Sequence, residues 1–242
     1  MPTYGVLLRV YTPKESEAED RVRRAMVHVD KVQEVAREFP RLVHTTLIVP
    51  KDHDCGLTAP ALTAAARAYD ASVVSVIEPS GHHSMEALNQ GVRKIYPHAS
   101  HALIVSGKAM SYLTKEVLTA FDAVSARGAK VAGLALPELA DIVSSGRIQN
   151  TFAAWNLDAL IRVGYFDSAL GVEEVAPIIR MIREFGPCVA PIACADGALD
   201  IHDSETARER HREVMRTKIE AQELECARLR SSFEFIKTGV IR

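Results

Sequence analysis

The sequence has few cysteines, and none is arranged for metal binding. Its 242 residues include only Cys55, Cys188, Cys194 and Cys226, with no C-x-x-C pair and no histidine at zinc-finger spacing. A structural zinc site is therefore not expected. The first residues, Met1 to Tyr4, show no basic segment followed by an apolar one, so no secretory signal is expected. We therefore expect reduced thiols in a cytoplasmic protein.

The sequence also lacks a long apolar run and an excess of either charge. No run approaches the ~18–20 residues that cross a membrane, so no membrane span is expected. Lysine and arginine number 29 against 31 aspartate and glutamate, for a net charge of -2. Dedicated binders of nucleic acid normally have a basic surplus, so we expect no nucleic-acid partner. Hydrophobic residues at 48% and charged residues at 25% exclude a wholly disordered chain.

Short apolar runs alternate with helical patterns over the first two thirds of the chain, and the alternation continues less regularly afterwards. The predicted strands span residues 5–11, 43–49, 72–77, 101–105, 130–136, 149–155 and 188–193. Between the last two, Asn156 is predicted to cap a short helix and residues 172–185 to form another. Such alternation predicts an α/β fold with a mainly parallel sheet and helices on both faces.

The end of the chain has a different pattern. From Asp203 to Lys237 no glycine or proline interrupts a densely charged stretch, which predicts one long helix. We therefore divide the chain into a domain at 1–202 and a helical extension at 203–242. Seven residues of the extension recur at heptad spacing: Met215, Ile219, Gln222, Cys226, Leu229, Phe233 and Ile236. This seam would pack on its own domain or on a second copy, and its length favours a homodimer.

Three common nucleotide and catalytic motifs are missing. The absence of G-x-G-x-x-G, G-x-x-x-x-G-K-[ST] and G-x-S-x-G disfavours a dinucleotide-binding domain, a P-loop and an α/β-hydrolase. The loop after the first predicted strand, Thr12-Pro13-Lys14-Glu15-Ser16, has no glycine. Any nucleotide at this edge of the sheet would be held mainly by side chains.

Five segments carry a family resemblance through their order and spacing. They are Val10-Tyr11-Thr12-Pro13, the acidic stretch at 47–54, Ala87-Leu88-Asn89-Gln90-Gly91, the segment 155–167 with its final Gly164-Tyr165-Phe166-Asp167, and Glu173-Glu174. Over about residues 5–193 the chain resembles glycosyltransferases of the GT-A fold, closest to the family 2 group. The resemblance implies a three-layer α/β/α sandwich, a nucleotide-sugar donor, an acceptor that the sequence does not identify, and an inverting sugar transfer.

The resemblance also implies which residues bind the donor. Thr12, Asp52, Asp54 and Asn89 would bind the nucleotide sugar, the two aspartates by accepting hydrogen bonds from the edge of the base. The alternative is that the aspartates are solvated turn residues and that Asn89 caps or orients a helix near the pocket.

Glu173 and Glu174 are the candidate general bases of the implied transfer. One of them would take the proton from the acceptor hydroxyl as its oxygen attacks the anomeric carbon. The alternative is that they are acidic residues favoured in the first turn of a helix. His82 and His83 precede another helix and would contact phosphate or sugar, or form a polar loop.

The D-x-D motif that holds a divalent ion in this family is replaced here. Its slot, counted from Asn89, reads Ser106-Gly107-Lys108 and has no carboxylate. We therefore expect no metal cofactor, and we expect Lys108 to supply positive charge to the diphosphate unless it is a surface lysine. In some family members, a metal-binding position near the end of the domain corresponds to Asp200, His202 and Asp203. The alternative is that these residues form a loop and a helix N-cap.

Two functions from different classes therefore remain open. The acidic pair and the segment ending at Asp167 favour an active sugar transferase. The missing D-x-D favours a GT-A domain that has lost catalysis and serves as a binding or assembly module. An unrelated α/β enzyme that acts on nucleotides is the third possibility.

Overall fold

A seven-stranded sheet runs through the centre of the protein. The computed structural model describes residues 1–12, 14–80, 85–168, 170, 172–194 and 205–241. The strands are β1 (Tyr4–Arg9), β2 (Leu42–Ile48), β3 (Val74–Ile77), β4 (His101–Val105), β5 (Val131–Ala135), β6 (Phe152–Asn156) and β7 (Val189–Ala193). The α-helices are α1 (Ala18–Glu38), α2 (Thr58–Ala66), α3 (Met85–Ile95), α4 (Lys115–Ala126), α5 (Ala140–Ser144), α6 (Leu157–Arg162), α7 (Val175–Phe185), α8 (Glu205–Arg228) and α9 (Phe233–Thr238).

The strand order β3-β2-β1-β4-β6-β5-β7 decides where a ligand site forms. Every pairing is parallel except those of β6, which runs antiparallel to β4 and β5. The carboxyl ends of β1 to β4 therefore lie at one edge. The start of β6 lies at that edge too, because Phe152 pairs with Val105 at the end of β4. Ligands of open parallel sheets bind at the carboxyl ends of the strands.

The core lies between the sheet and the helices that cover it. Strands β4 and β5 are buried along their whole length, as expected of strands with helices on both faces. Helix α1 contributes Ala25, Val29, Val32 and Val35, which recur every three or four residues and are all buried. The predicted α/β fold with a mainly parallel sheet is thus confirmed. The predicted helix cap at Asn156 is confirmed as well, because its Oδ1 accepts a hydrogen bond from the Ala159 backbone N–H at 2.9 Å.

The predicted single helix at the end of the chain is wrong, because two helices occupy this region. Helix α8 ends at Arg228, and Arg230 adopts a left-handed φ of 50°. Ser232 then caps α9 by accepting a hydrogen bond from the Phe235 backbone N–H at 3.2 Å. A serine cap therefore starts a new helix without any glycine or proline. The proposed domain boundary after residue 202 lies outside the described residues.

The heptad-spaced seam of the extension packs on its own chain. Gln222, Cys226 and Ile236 are buried, and the remaining seam residues pack against the same hydrophobic core. The first of the two alternatives for the seam is therefore observed. Because these side chains are already covered, the seam no longer supports the predicted homodimer, which stays an untested prediction. Among the described helices, none combines the length and apolar character needed to cross a lipid bilayer.

The segment after α9 adds to the edge of the sheet. The backbone N–H groups of Cys188 and Val189 both donate to the carbonyl oxygen of Gly239, at 2.8 and 2.9 Å. The Ile241 N–H donates in turn to the Val189 carbonyl at 2.9 Å. The extension is thus joined to the domain by both side-chain packing and backbone hydrogen bonds.

His101, at the start of β4, is a buried titratable group. Its Nδ1 lies 2.9 Å from Ser100 Oγ and its Nε2 lies 3.4 Å from Ser125 Oγ. Burial lowers the pKa of His101 to about 4, against an opposing attraction from Asp122. The folded protein therefore keeps this imidazole neutral at pH values where an exposed histidine is charged.

Acidification should destabilise the fold through His101. The unfolded chain binds a proton at this histidine near pH 6.5 and the folded chain only near pH 4, so the free energy of unfolding falls between these values. The full effect is about 3 kcal/mol. Urea unfolding from pH 7 down to pH 4 should show a shallower decline for His101→Gln than for the unsubstituted chain. Parallel declines in the two proteins would contradict this expectation.

Candidate functional site

A cavity of about 870 Å³ opens at the carboxyl ends of β1 and β4. Five of its described lining residues carry positive charge: Arg9, Lys14, Arg21, Arg24 and Lys108. Glu17 is the one carboxylate among the described lining residues. A cavity with this charge distribution favours an anionic ligand.

Helix α1 contributes two arginines and a histidine to the lining of the cavity. Arg21, Arg24 and His28 follow one another at spacings of three and four, so they share one face of the helix. Arg21 forms an ion pair with Glu17 at 3.1 Å, and Arg24 pairs with Asp20 at 2.6 Å. These pairs are largely exposed, so solvent weakens them and leaves the guanidinium groups available to a ligand.

Lys108 lines the same cavity from the turn after β4, and within the described residues it has no ion-pair partner. Of the predicted site residues, it is the one found among the described lining of the cavity. Its position agrees with the predicted role as a cation facing a diphosphate, and that role stays a prediction.

The His28 imidazole fills the space beside Gly107. A Cβ atom added at Gly107 would lie 2.8 Å from His28 Nε2, so only glycine fits here without moving the ring. Burial lowers the pKa of His28, and the nearby Arg24 lowers it further. Burial and Arg24 therefore disfavour protonation of this imidazole, whereas a bound anion would favour it.

The residues in the metal slot do not fit a divalent ion. Ser106, Gly107 and Lys108 offer a hydroxyl, a backbone and an ammonium group, whereas Mg²⁺ and Mn²⁺ prefer carboxylate oxygens. Among the described residues, no group of three histidine, cysteine, aspartate or glutamate side chains could hold a metal. Asp200, His202 and Asp203, the remaining candidates, lie outside the described residues, as do His82 and His83.

The structure brings two predicted donor-binding residues together, although neither is among the described lining of the cavity. Thr12 and Asp54 form an isolated parallel β-bridge, and the Cys55 N–H donates to the Thr12 carbonyl at 2.9 Å. Thr12 Oγ1 and Asp54 Oδ1 are buried and have no hydrogen-bond partner among the described residues. Asp54 Oδ2 accepts from the Ala59 N–H at 3.4 Å, near the start of α2. Each residue thus has one buried polar atom without a hydrogen-bond partner among the described residues.

Asp52 and Asn89 are placed differently. Asp52 is exposed in a 3-10 turn after β2. Asn89 is buried, and its amide braces the backbone of Phe166: Nδ2 donates to the Phe166 carbonyl and Oδ1 accepts from its N–H, both at 3.0 Å. This geometry matches the alternative in which Asn89 orients a helix, and direct ligand contact by either residue stays a prediction.

The two candidate bases have separate partners. Glu173 Oε1 accepts from Arg9 Nη1 at 3.2 Å, which places this carboxylate one contact from the cavity. Glu174 is fully buried and pairs with Lys218 Nζ of α8 at 2.6 Å, while Gln222 Nε2 donates to it at 3.4 Å. Burial raises the pKa of Glu174, although Lys218 opposes this. Glu173 is therefore the better placed of the two to meet a ligand.

The sequence did not reveal several residues of the cavity. The spacing of Arg21, Arg24 and His28 could have indicated a cationic helix face. Arg9 and Asn150 had no local signal. Arg9 contacts Glu173, 164 residues away, and Asn150 lines the cavity together with residues from distant parts of the chain.

Removing Lys218 should destabilise the protein strongly. A Lys218→Met variant leaves the Glu174 carboxylate buried without its ion-pair partner, at a cost of about 3–5 kcal/mol. The double variant Glu174→Gln with Lys218→Met should recover most of this loss in denaturant unfolding. Arg216→Met is the matched control, because it removes two exposed ion pairs of the same helix and should change stability little. Equal effects of Lys218→Met and Arg216→Met would contradict a stabilising role for the buried pair.

Comparison with known proteins rests on the fold alone, since no protein-family model and no curated protein matches the chain. A mannosyltransferase from Pyrobaculum calidifontis, solved with GDP-Man and Mn²⁺, is similar with a TM-score of 0.56 at 12% identity over 90% of this chain. The chain spans 63% of that protein's length. The 4-diphosphocytidyl-2C-methyl-D-erythritol synthase from Anaerococcus prevotii gives a TM-score of 0.51 at 9% identity, covering 88% of this chain and 98% of the other. The chain therefore shares its fold with these two enzymes.

Proposed function

We propose that the protein binds a nucleotide sugar in the cationic cavity and transfers the sugar to an acceptor without a metal ion. The observation that carries the proposal is the position of the cavity. It lies at the carboxyl ends of β1 and β4 in a fold of the nucleotide-diphospho-sugar transferase type, with five cationic side chains in its described lining. The fold favours a nucleotide sugar as the ligand, and the cationic side chains of the cavity would bind its diphosphate.

The cations have a direct role in the proposed reaction. When the bond between the sugar and the diphosphate breaks, negative charge develops on the leaving oxygen and must be stabilised. Lys108 and the arginines of the cavity provide this charge as ammonium and guanidinium groups. The similar mannosyltransferase was solved with Mn²⁺. The turn after β4 of this chain, Ser106-Gly107-Lys108, has no carboxylate to hold such an ion, and this supports metal-independent binding.

Glu173 is the candidate base of the proposed transfer. The acceptor oxygen attacks the anomeric carbon, the bond from that carbon to the phosphate oxygen breaks, and the acceptor proton passes to the carboxylate. The ion pair with Arg9 holds Glu173 next to the cavity. Glu174, which is fully buried against α8, serves in this proposal to attach the extension to the domain.

A second candidate function has its own supporting observation. Both members of the acidic pair are engaged in ion pairs, as expected if they stabilise the fold and perform no chemistry. The protein would then be a catalytically inactive domain that binds a nucleotide sugar as part of an assembly. Both candidate functions include binding of the nucleotide sugar, but only the active transferase would turn it over.

The positive charge of Lys108 should increase the affinity of the protein for nucleoside diphosphates. Titration calorimetry with UDP and GDP should show the same affinity with Mn²⁺ and with EDTA. Lys108→Ala should weaken diphosphate binding about tenfold, because a charge-assisted hydrogen bond is lost, and should affect the bare nucleosides less. Lys115→Ala, at an exposed lysine outside the cavity lining, is the matched control. Binding that appears only with the metal would contradict the proposal.

Substitution of Glu173 should separate binding from turnover. Glu173→Gln should abolish transfer, assayed as release of nucleoside diphosphate from UDP- and GDP-sugars, because the base acts in the transition state. Nucleotide affinity should hold or rise, since Arg9 loses its anionic partner. Transfer at the original rate in the variant would rule out Glu173 as the base. Binding without any turnover in the unsubstituted chain would favour the inactive domain.

A further inference from the structure

Asn150 is a buried side chain in the wall of the cavity. It is 3% exposed and lies two residues before β6. Its Oδ1 accepts a hydrogen bond from Trp155 Nε1 at 2.9 Å. Because an indole N–H only donates, this contact fixes which end of the amide carries the oxygen. The amide nitrogen therefore faces away from Trp155.

The nitrogen of this amide has no partner among the described residues. Asn150 Nδ2 carries two N–H donors and is buried, yet it forms no hydrogen bond with a described residue. Leaving a buried amide unpaired destabilises a folded protein, and such groups in native structures normally have a partner. Because Asn150 also lines the cavity, an acceptor atom of a ligand is the candidate partner for these donors.

Ser106 shows the same feature on the neighbouring strand. Its Oγ is buried and unpaired among the described residues, and Ser106 also lines the cavity. The Ser106 backbone N–H donates to the Thr151 carbonyl at 2.8 Å, which places Ser106 beside the residue that follows Asn150. The antiparallel pairing of β4 and β6 thus brings two unsatisfied polar groups to one part of the cavity.

We propose that Asn150 Nδ2 and Ser106 Oγ form a phosphate-binding subsite that holds the sugar-bearing phosphate of the donor. This inference rests on the proposed function, because it assigns a part of the same cavity. Lys108 follows Ser106 by two residues and also lines the cavity, so the subsite combines neutral donors with a cation. Anionic phosphate oxygens accept from both kinds of group. A sugar hydroxyl also offers an acceptor oxygen. The experiment therefore compares ligands that carry phosphate alone with ligands that also carry a sugar.

Two substitutions test the subsite in different ways. Asn150→Asp keeps an acceptor for Trp155 Nε1 and replaces the two donors by lone pairs that repel phosphate. It should weaken the binding of inorganic pyrophosphate, UDP and GDP about tenfold or more. Asn156→Asp is the matched control, because it makes the same amide-to-carboxylate change at a helix cap, where aspartate serves equally well.

Ser106→Ala tests the subsite independently, so the proposal can still be overturned if Asn150→Asp does not fold. Removing a hydroxyl that is unpaired in the folded protein should leave the Tm of the ligand-free chain unchanged or raise it, while pyrophosphate binding weakens severalfold. A purely structural hydroxyl would give the opposite pattern, a lower Tm with unchanged binding, and that result would overturn the proposal.

The ligand series distinguishes the possible failures. Weaker binding of pyrophosphate in the variants supports a phosphate subsite. Pyrophosphate, UDP and GDP binding at the original affinity, with weaker binding only of UDP- or GDP-sugars, would overturn it in favour of a sugar-hydroxyl contact. If the unsubstituted chain binds none of these ligands, the proposed function fails. If it binds them and Lys108→Ala weakens binding while Ser106→Ala and Asn150→Asp do not, only the subsite fails.

Discussion

The reversed direction of β6 decides what surrounds the cavity. In a sheet of parallel strands, one edge collects only the residues that follow strands. Strand β6 runs the other way between β4 and β5, so the residues before it reach the edge at which β4 ends. Asn150 and Ser106 become neighbours for this reason, although 44 residues separate them in the chain. Trp155, further along the same strand, fixes the orientation of the Asn150 amide.

The positions of the charged side chains are more informative about what this protein binds than its net charge. The net charge of -2 argues against a general binder of polyanions, yet cationic side chains are concentrated around one concave region. Concave, partly desolvated surfaces focus an electrostatic field, so a few cations there attract an anion that the protein as a whole would not. The cationic cavity therefore favours an anion small enough to enter it, although the chain as a whole has no basic surplus.

The fold was largely predictable from the sequence, because alternating strand and helix patterns leave few arrangements. Local motifs were informative where they reflect close packing. Gly91 is one example, since a Cβ atom there would lie 2.6 Å from Ile48 Cδ1 and would force the buried Ile48 side chain to shift. The site was less predictable. Arg9 and Glu173 are 164 residues apart, and nothing near either one indicates their ion pair. The break after α8 was missed because a serine cap and a left-handed arginine replace the usual glycine or proline.

The backbone pairing after α9 also affects how the sheet meets other molecules. Strand β7 is an edge, and an exposed edge offers unpaired N–H and C=O groups to any other strand. At the start of β7, Gly239 and Ile241 already occupy the outward backbone groups of Val189. In the middle of the strand, Pro191 has no N–H to offer. The opposite edge is the four-residue strand β3, which is short for stable pairing. Both borders of the sheet are thus poor templates for the edge-to-edge stacking that leads to aggregation.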